Sequence, residues 1–403
     1  MSTYDDASLI YYPSGYKAGK AYSLKPTDGS GDLTFTRAST ATRVNSAGLI
    51  ESVATGVPRI DYTGGGCGSL LLEPQRTNQF LNSQNAENLS IKSGASVVSN
   101  TTTSPDGTIN ADSIIESSAS GLHYCGGSGF AASQNSFSIF LKANTRNWAY
   151  VTTYDGAADR GAYFDLSNGV IGTIDSGVTA KIENYGDGWY RCSVTSTTVS
   201  VYSATVQLAI GNLQRVYLGN GTSGIYVWGF QLEPSAAYPT SYIPTTTTAV
   251  TRVSDIAGKS GISSLIGQTE GVVFYDFIWQ TTGQANQSSS VNSGSYYNSI
   301  SFGHYGGALR LEIYYNGTPI SLGSQVLITG QRYKIAFAYK SGDSATYVNG
   351  VQLSTSSTSF AFASALNNLF LTYNGENFGD KVNTYMLFKT RLSNAELATL
   401  TTI

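Results

Sequence analysis

The sequence predicts an all-β protein, with an N-terminal extended segment followed by two antiparallel β-sandwiches. Three observations predict it. Charged residues make up 12% of the 403-residue chain, against about 25% in ordinary soluble proteins. Its 28 Tyr, 16 Phe and abundant Thr supply the aromatic and β-branched side chains that suit a pleated surface. The 44 Gly supply turns with positive φ between short runs in which apolar residues recur at every second position.

Residues 1–77 contain strand-like SLIYY (8–12) and LLLEP (70–74), the latter preceded by the GGGCG run at 64–68, which reads as a tight turn. The segment has too little apolar material to fold alone. It must pack on its own next domain, a sister subunit or a larger assembly, and we assign it a docking and oligomerisation role.

Residues 78–254 read as the first sandwich. SFSIFLKA (136–143) alternates Phe137, Ile139 and Leu141 with Ser136, Ser138, Phe140 and Lys142. NWAYVTTY (147–154) puts Trp148, Tyr150 and Tyr154 on one face, and Asn168-Gly169 in AYFDLSNGVIGT predicts a type I′ hairpin. GWYRCSVTS and GIYVWGFQLEP complete the set, with Trp148, Trp189 and Trp228 expected in the core.

The Pro- and Thr-rich stretch YPTSYIPTTTTAVTRVSD (238–255) reads as extended, and 255–267 as a linker. TRVSD at 251–255 echoes TRVNS at 42–46. Residues 268–403 form the second sandwich, with turns at Asn316-Gly317 and Asn349-Gly350. Ser393 followed by Glu396 is a capping box, so a short helix closes the chain.

The formal charge of −3 gives no electrostatic case for nucleic acid or an anionic membrane. Cys67, Cys125 and Cys192 lack a C-x-x-C pair and read as buried free thiols, and we expect a product made without a signal peptide, since MSTYDDASLIYYPSG lacks a basic stretch followed by an apolar one. With only His123 and His304, a triad or a His-based metal site has little material. We expect no enzyme and no cofactor. A glycoside hydrolase needs two carboxyl groups about 5 to 10 Å apart, and the candidates Asp155, Asp159, Asp165, Asp276 and Glu312 show no E-x-D-x-x-E spacing of the kind by which sandwich-fold endoglucanases present both carboxyls on one strand face. A glycan depolymerase on a sandwich scaffold is the alternative. Asn374, Glu376, Asn377 and Asp380 are weak calcium candidates, since oxygen-rich side chains suit a hard cation. Aromatic rings can stack on the apolar faces of sugars, which makes Tyr296, Tyr297, His304, Tyr305, His123 and Tyr124 the glycan-binding candidates.

Arg37, Arg43 and Arg59 stand in FTRASTATRVNSAGLIESVATGVPRIDY (35–62), far from any nucleophile. We read them as structural, their forks holding backbone carbonyls and carboxylates such as Glu51, Asp61 and Glu73, so as to fix the segment against the first sandwich and its neighbours.

FTRASTATRVNSAGLIE, VPRIDY, LLLEPQRTN, DGWYRCSVT, VWGFQLEP, SYIPTTTTAVTR and YVNGVQ…LFKTRLSNAELATL together resemble tailed-bacteriophage virion proteins. These are built as an N-terminal segment plus concanavalin-like, laminin-G-like jelly-roll domains, and include head fibres, capsid decorations and tail fibres, notably of crAss-like phages. The resemblance implies a lectin-like virion appendage, often oligomeric, with a homotrimer as the expected state. Its implied partners are other virion proteins, copies of itself and a host-surface or mucosal glycan. It supplies no catalytic or sugar-binding residue to carry over.

Overall fold

The computed structural model describes residues 3–130, 135–196, 201–280, 286–305, 308–373, 376–377 and 381–403. It is nearly all β, and its strand pairs are antiparallel. The strands form two sandwiches.

The first sandwich stacks two six-stranded sheets. One runs in the order Ile91–Ser93, Tyr124–Ser128, Ser203–Ala209, Trp148–Tyr154, Asp159–Asp165 and Val170–Ile174. The other runs Ala95–Thr103, Ile109–Glu116, Gly224–Pro234, Asn135–Ala143, Trp189–Ser196 and Val178–Asn184. Phe137, Ile139 and Leu141 point between the sheets with Val151, Phe164, Cys192, Val206 and Phe230, as the alternation in SFSIFLKA requires. The opposite series is buried as well. Phe140, Trp189 and Trp228 are covered by Val44 and Ile50 of the N-terminal hairpin and by Tyr242, so this sheet is apolar on both faces.

The second sandwich is assembled from both ends of the chain. Its eight-stranded sheet places Lys381–Phe388 between Glu270–Ile278 and Ser69–Leu71, with Ala7–Tyr11 also paired to Lys381–Phe388 (Tyr11 opposite Tyr385). Its nine-stranded sheet inserts Ile256–Ser260 between Leu33–Thr36 and Asn368–Phe370. Leu9, Tyr11, Phe35 and Leu70 therefore share one core with Tyr275, Phe302, Phe337 and Tyr385. The strands of the N-terminal segment join the sheets of the second sandwich, and its hairpin Ala41–Val44/Ile50–Val53 covers the first. The stretch 255–267 corrects its linker reading. Asp255 is wholly buried and Ile256–Ser260 is a sheet strand, because its backbone groups bridge two neighbours instead of meeting solvent.

The helix Asn394–Thr401 opens on the expected capping box and packs Leu397 and Leu400 on the outer face of the eight-stranded sheet. Asn316-Gly317 and Asn349-Gly350 both take positive φ at the two central residues, as type I′ turns demand. At Asn168-Gly169 the hairpin forms, but with a four-residue loop in which only Gly169 has positive φ. Asp165 Oδ1 accepts from the Ser167 and Asn168 amides and fixes that wider turn. Cys125 and Cys192 are buried as expected, whereas Cys67 is exposed, because the glycine run that carries it turns outward at the surface.

Candidate functional site

Two arrangements stand out: a buried ionic junction where the sandwiches meet, and a tyrosine platform on the nine-stranded sheet. The junction explains the arginines. Arg59 donates to the Thr42 carbonyl oxygen (3.0 Å), Glu73 Oε2 (2.7 Å), Ser241 Oγ (2.7 Å) and Asp255 Oδ2. Arg37 donates to Asp255 Oδ1 (3.0 Å) and to the carbonyls of Ser39 and Ala54 (2.9 and 2.8 Å). Arg43 differs, since its pair with Glu51 (2.6 Å) is partly exposed and its guanidinium covers the Tyr16 ring.

The expected carboxylate partners are therefore correct for Glu51 and Glu73. Asp61 instead accepts from Lys381 Nζ (2.9 Å) and the Val44 amide, because its strand Arg59–Asp61 lies in the same sheet as Lys381–Phe388. The arginine network also contains two residues not foreseen. Arg252 donates to Glu73 Oε2 (2.7 Å) and the Pro74 carbonyl (2.5 Å), and Asp255 bonds both Arg37 and Arg59. Both lie in TRVSD, the stretch that echoes TRVNS, so the repeat was the signal. Burial alone would raise the Glu73 pKa, but Arg252 and Arg59 outweigh it and hold this carboxyl far below the usual range.

This network sits where the chain enters and leaves the first sandwich. Arg76–Asn78 and Val250–Arg252 pair as a two-stranded ribbon, and the Glu73 and Asp255 backbones bond across it (3.0 Å from the Asp255 amide to the Glu73 carbonyl). The arginines fix the N-terminal hairpin to both sandwiches at once.

The predicted tyrosines divide. Ser299 and Ser301 lie opposite Tyr314 and Glu312 on the outer face, while Ile300, Phe302, Leu311 and Ile313 face the core. Tyr296 packs on Tyr314 (centroids 4.6 Å apart), and Tyr297 stands edge-on to Tyr296 at 6.3 Å, 64% exposed, beside the Asn316-Gly317 turn. The Tyr314 hydroxyl donates to Glu312 Oε2 (2.9 Å), and the Ser301 hydroxyl lies 3.4 Å from that of Tyr296. Burial, then Tyr296 and Glu312, push the Tyr314 phenol well above its usual pKa, which keeps it a donor. Tyr314 was not foreseen; its signal was EIYY (312–315), where period two puts Glu312 and Tyr314 on one face.

The histidines do not join this group. His123 is completely buried, its Nδ1 2.6 Å from the Gly94 carbonyl and its ring against Tyr217, so it braces the first sandwich and is removed from the glycan-binding candidates. Tyr124, next to it, is half-buried opposite Gln207 in the first sandwich. His304 follows Ile300 and Phe302 on the inward face and meets Trp279 (4.6 Å), on the other side of the sheet from Tyr296. The side chain of Tyr305 lies outside the described residues. So do Asn374 and Asp380, and the side chains of Glu376 and Asn377. Among the described residues no cluster of three or more His, Cys, Asp or Glu could hold a metal ion.

The five carboxylates weighed for hydrolysis are each engaged locally, Asp155 and Asp159 flanking one hairpin turn. Asp276 accepts both arms of Arg332 (2.8 and 2.5 Å) and lies in the eight-stranded sheet, whereas Glu312 is in the nine-stranded one. Asp155 pairs with Arg160, Asp159 with Arg215, and Asp165 caps its loop.

No family model matches the chain, and no curated protein does. Among solved structures, the CBM40 domain of Ruminococcus gnavus IT-sialidase bound to α2,3-sialyllactose is 16% identical over 36% of this chain and 91% of its own, with a TM-score of 0.30. Domain 4 of AbnA, a GH43 extracellular arabinanase from Geobacillus stearothermophilus, in complex with arabinotriose, is 14% identical over 40% of this chain and 80% of its own, at 0.31. Mouse laminin α1 chain domains LG4-5 are 11% identical over 69% of this chain and 90% of their own, at 0.22. These likenesses are too distant to transfer a ligand or an activity.

Proposed function

We propose that the protein is a non-catalytic, glycan-binding appendage of a tailed-phage particle, a head fibre or capsid decoration, assembled as a homotrimer and docked on other virion proteins. The observation that carries the binding part is the tyrosine platform. Tyr297 offers an exposed ring beside the half-buried rings of Tyr296 and Tyr314, and buried Glu312 accepts from the Tyr314 hydroxyl and holds it in place, an aromatic surface with a fixed polar group that suits the C–H face of a sugar. The virion part rests on the resemblance of FTRASTATRVNSAGLIE and its companion motifs. Because residues 7–72 supply strands to the second sandwich, docking would use a folded face of that sandwich rather than a free arm.

A glycan array probed with the whole protein, with and without calcium, tests this reading, with bound glycans then examined for cleavage. Binding of intact glycan that is lost in Tyr297→Ala, at unchanged melting temperature, is expected. Cleaved glycan would replace the proposal with the depolymerase. Silence on the array together with loss of assembly in Tyr296→Ala/Tyr297→Ala would make the tyrosines subunit contacts.

A further inference from the structure

A cleft elsewhere in the molecule holds a buried cation that pairs with no carboxylate among the described residues. Arg191 lies on the outer face of the first sandwich, opposite Phe140 on one neighbouring strand and Glu183 on the other, and is 3% exposed. Its Nη2 donates to Ser138 Oγ (2.9 Å), its plane covers the Phe140 ring at 5.4 Å, and Nε has no acceptor among the described residues. No described carboxylate lies within 4.0 Å of it, since Glu183 is held by Lys181 (2.8 Å). A desolvated guanidinium without an anion is costly to keep.

Arg191 borders a cavity of about 120 Å³ that also meets Tyr185, Tyr242, Thr240 and the Asp61–Lys381 pair. A second observation has the same sign. In the ionic junction whose Glu73 and Ser241 form the far wall, three guanidiniums face two carboxylates. The cleft itself is lined by Arg43, Lys181, Arg191 and Lys381 against Asp61, Glu73 and Glu183, and of these cations Arg43, Lys181 and Lys381 are each paired with a carboxylate, which leaves Arg191 as the surplus charge.

We propose that this cleft binds the carboxylate of an acidic sugar, such as a uronic acid within a polysaccharide. Arg191 is the anchoring cation, and the Tyr185 and Tyr242 rings border the sugar. A carboxylate in the cavity would meet the guanidinium beside Tyr185, its existing neighbour, in a charge-assisted contact that a hydroxyl of a neutral sugar matches poorly. The proposal is independent of the tyrosine platform, none of whose residues line this cleft.

The test is calorimetric titration of the whole protein with oligogalacturonate, with its neutral galactose counterpart, with a sulfated galactose oligomer and with acetate. Oligogalacturonate is expected to bind at least about tenfold more tightly than the others. Arg191→Gln should weaken it by ~10- to 100-fold, the range for a charge-assisted bond, while leaving glycan binding in the second sandwich unaltered. Because Arg191 pairs with no described carboxylate that its loss would strand, Arg191→Gln and Arg191→Met should melt no lower than the parent without ligand. Equal binding of the acidic and neutral oligomers, preference for the sulfated one, or acetate binding as tightly as uronate overturns the assignment. So does an unliganded Arg191→Met that melts several degrees lower, which would make the residue a packing element. Should neither variant fold, absence of oligogalacturonate binding to the parent protein at millimolar concentration overturns it alone.

Discussion

Asp255→Asn should uncouple the two sandwiches. Asp255 accepts from Arg37 (3.0 Å), Arg59 and the Glu73 amide (2.9 Å), and it is wholly buried. Asparagine keeps the shape but removes the charge, leaving Arg37, Arg59 and Arg252 around Glu73 alone and turning an amide NH2 toward a guanidinium. Removing one member of a buried ionic set costs about 3–5 kcal/mol, because the remaining charges stay desolvated. Arg43→Ala is the matched control: the same residue type in the same segment, but with a partly exposed pair to Glu51, and so a loss of about 0.2–1 kcal/mol. Urea unfolding followed by tryptophan fluorescence and far-UV circular dichroism distinguishes them. Trp189 and Trp228 report the first sandwich and Trp279 the second. We expect one coincident transition in the parent and in Arg43→Ala, and an earlier, divided transition in Asp255→Asn. A single transition in Asp255→Asn within about 1 kcal/mol of the parent would refute the view that this network joins the sandwiches.

The pH dependence follows from the same residues. Glu73 has a folded pKa below its ordinary value of 4.5, so its contribution is complete above about pH 5 and is lost as pH falls through the folded value; Glu73→Gln should flatten the acid limb of the stability curve measured by urea midpoints. Gly94→Ala should cost more than about 1 kcal/mol, since φ is +59° and an added Cβ would stand 2.2 Å from the Leu122 carbonyl oxygen; its melting temperature checks this. Ser393→Ala removes half of the capping box and should cost about 1 kcal/mol, seen as faster amide exchange confined to Asn394–Thr401.

What the sequence made legible was local. Period-two alternation in SFSIFLKA, positive φ at Asn316-Gly317 and Asn349-Gly350, and the Ser393/Glu396 box each depend on neighbours within a few residues, and each is present. What it hid was set by distant pairing. Ala7–Tyr11 finds Lys381–Phe388 across nearly the whole chain, and no turn residue or period specifies such a partner. Phe140 alternated correctly yet is buried, because Val44, Ile50 and Tyr242 arrive from elsewhere to cover it. The tyrosine pair and Glu312 were visible as residues, but that Glu312 and Tyr314 adjoin the pair emerged only once strand register placed them opposite Ser301 and Ser299. His123 was misassigned for the same reason: a polar ring in a glycine-rich stretch reads as surface until the Gly94 carbonyl and Tyr217 are seen around it.

The connectivity bears on both proposed sites. An inserted sandwich attached by two adjacent strands could swing on that ribbon, and an interdomain cleft would then have no fixed shape. Here the ribbon Arg76–Asn78/Val250–Arg252 is flanked by buried ion pairs, and a third segment, the hairpin Ala41–Val44/Ile50–Val53, crosses to the first sandwich. Thr42 spans the contact, its hydroxyl bonded to the Tyr242 carbonyl and its own carbonyl to Arg59. Three attachments resist a hinge motion that two adjacent strands would permit. The charge-poor composition sharpens the effect: in a chain with so few ionisable groups, five buried ones at a single junction hold the first sandwich in a fixed relation to the second.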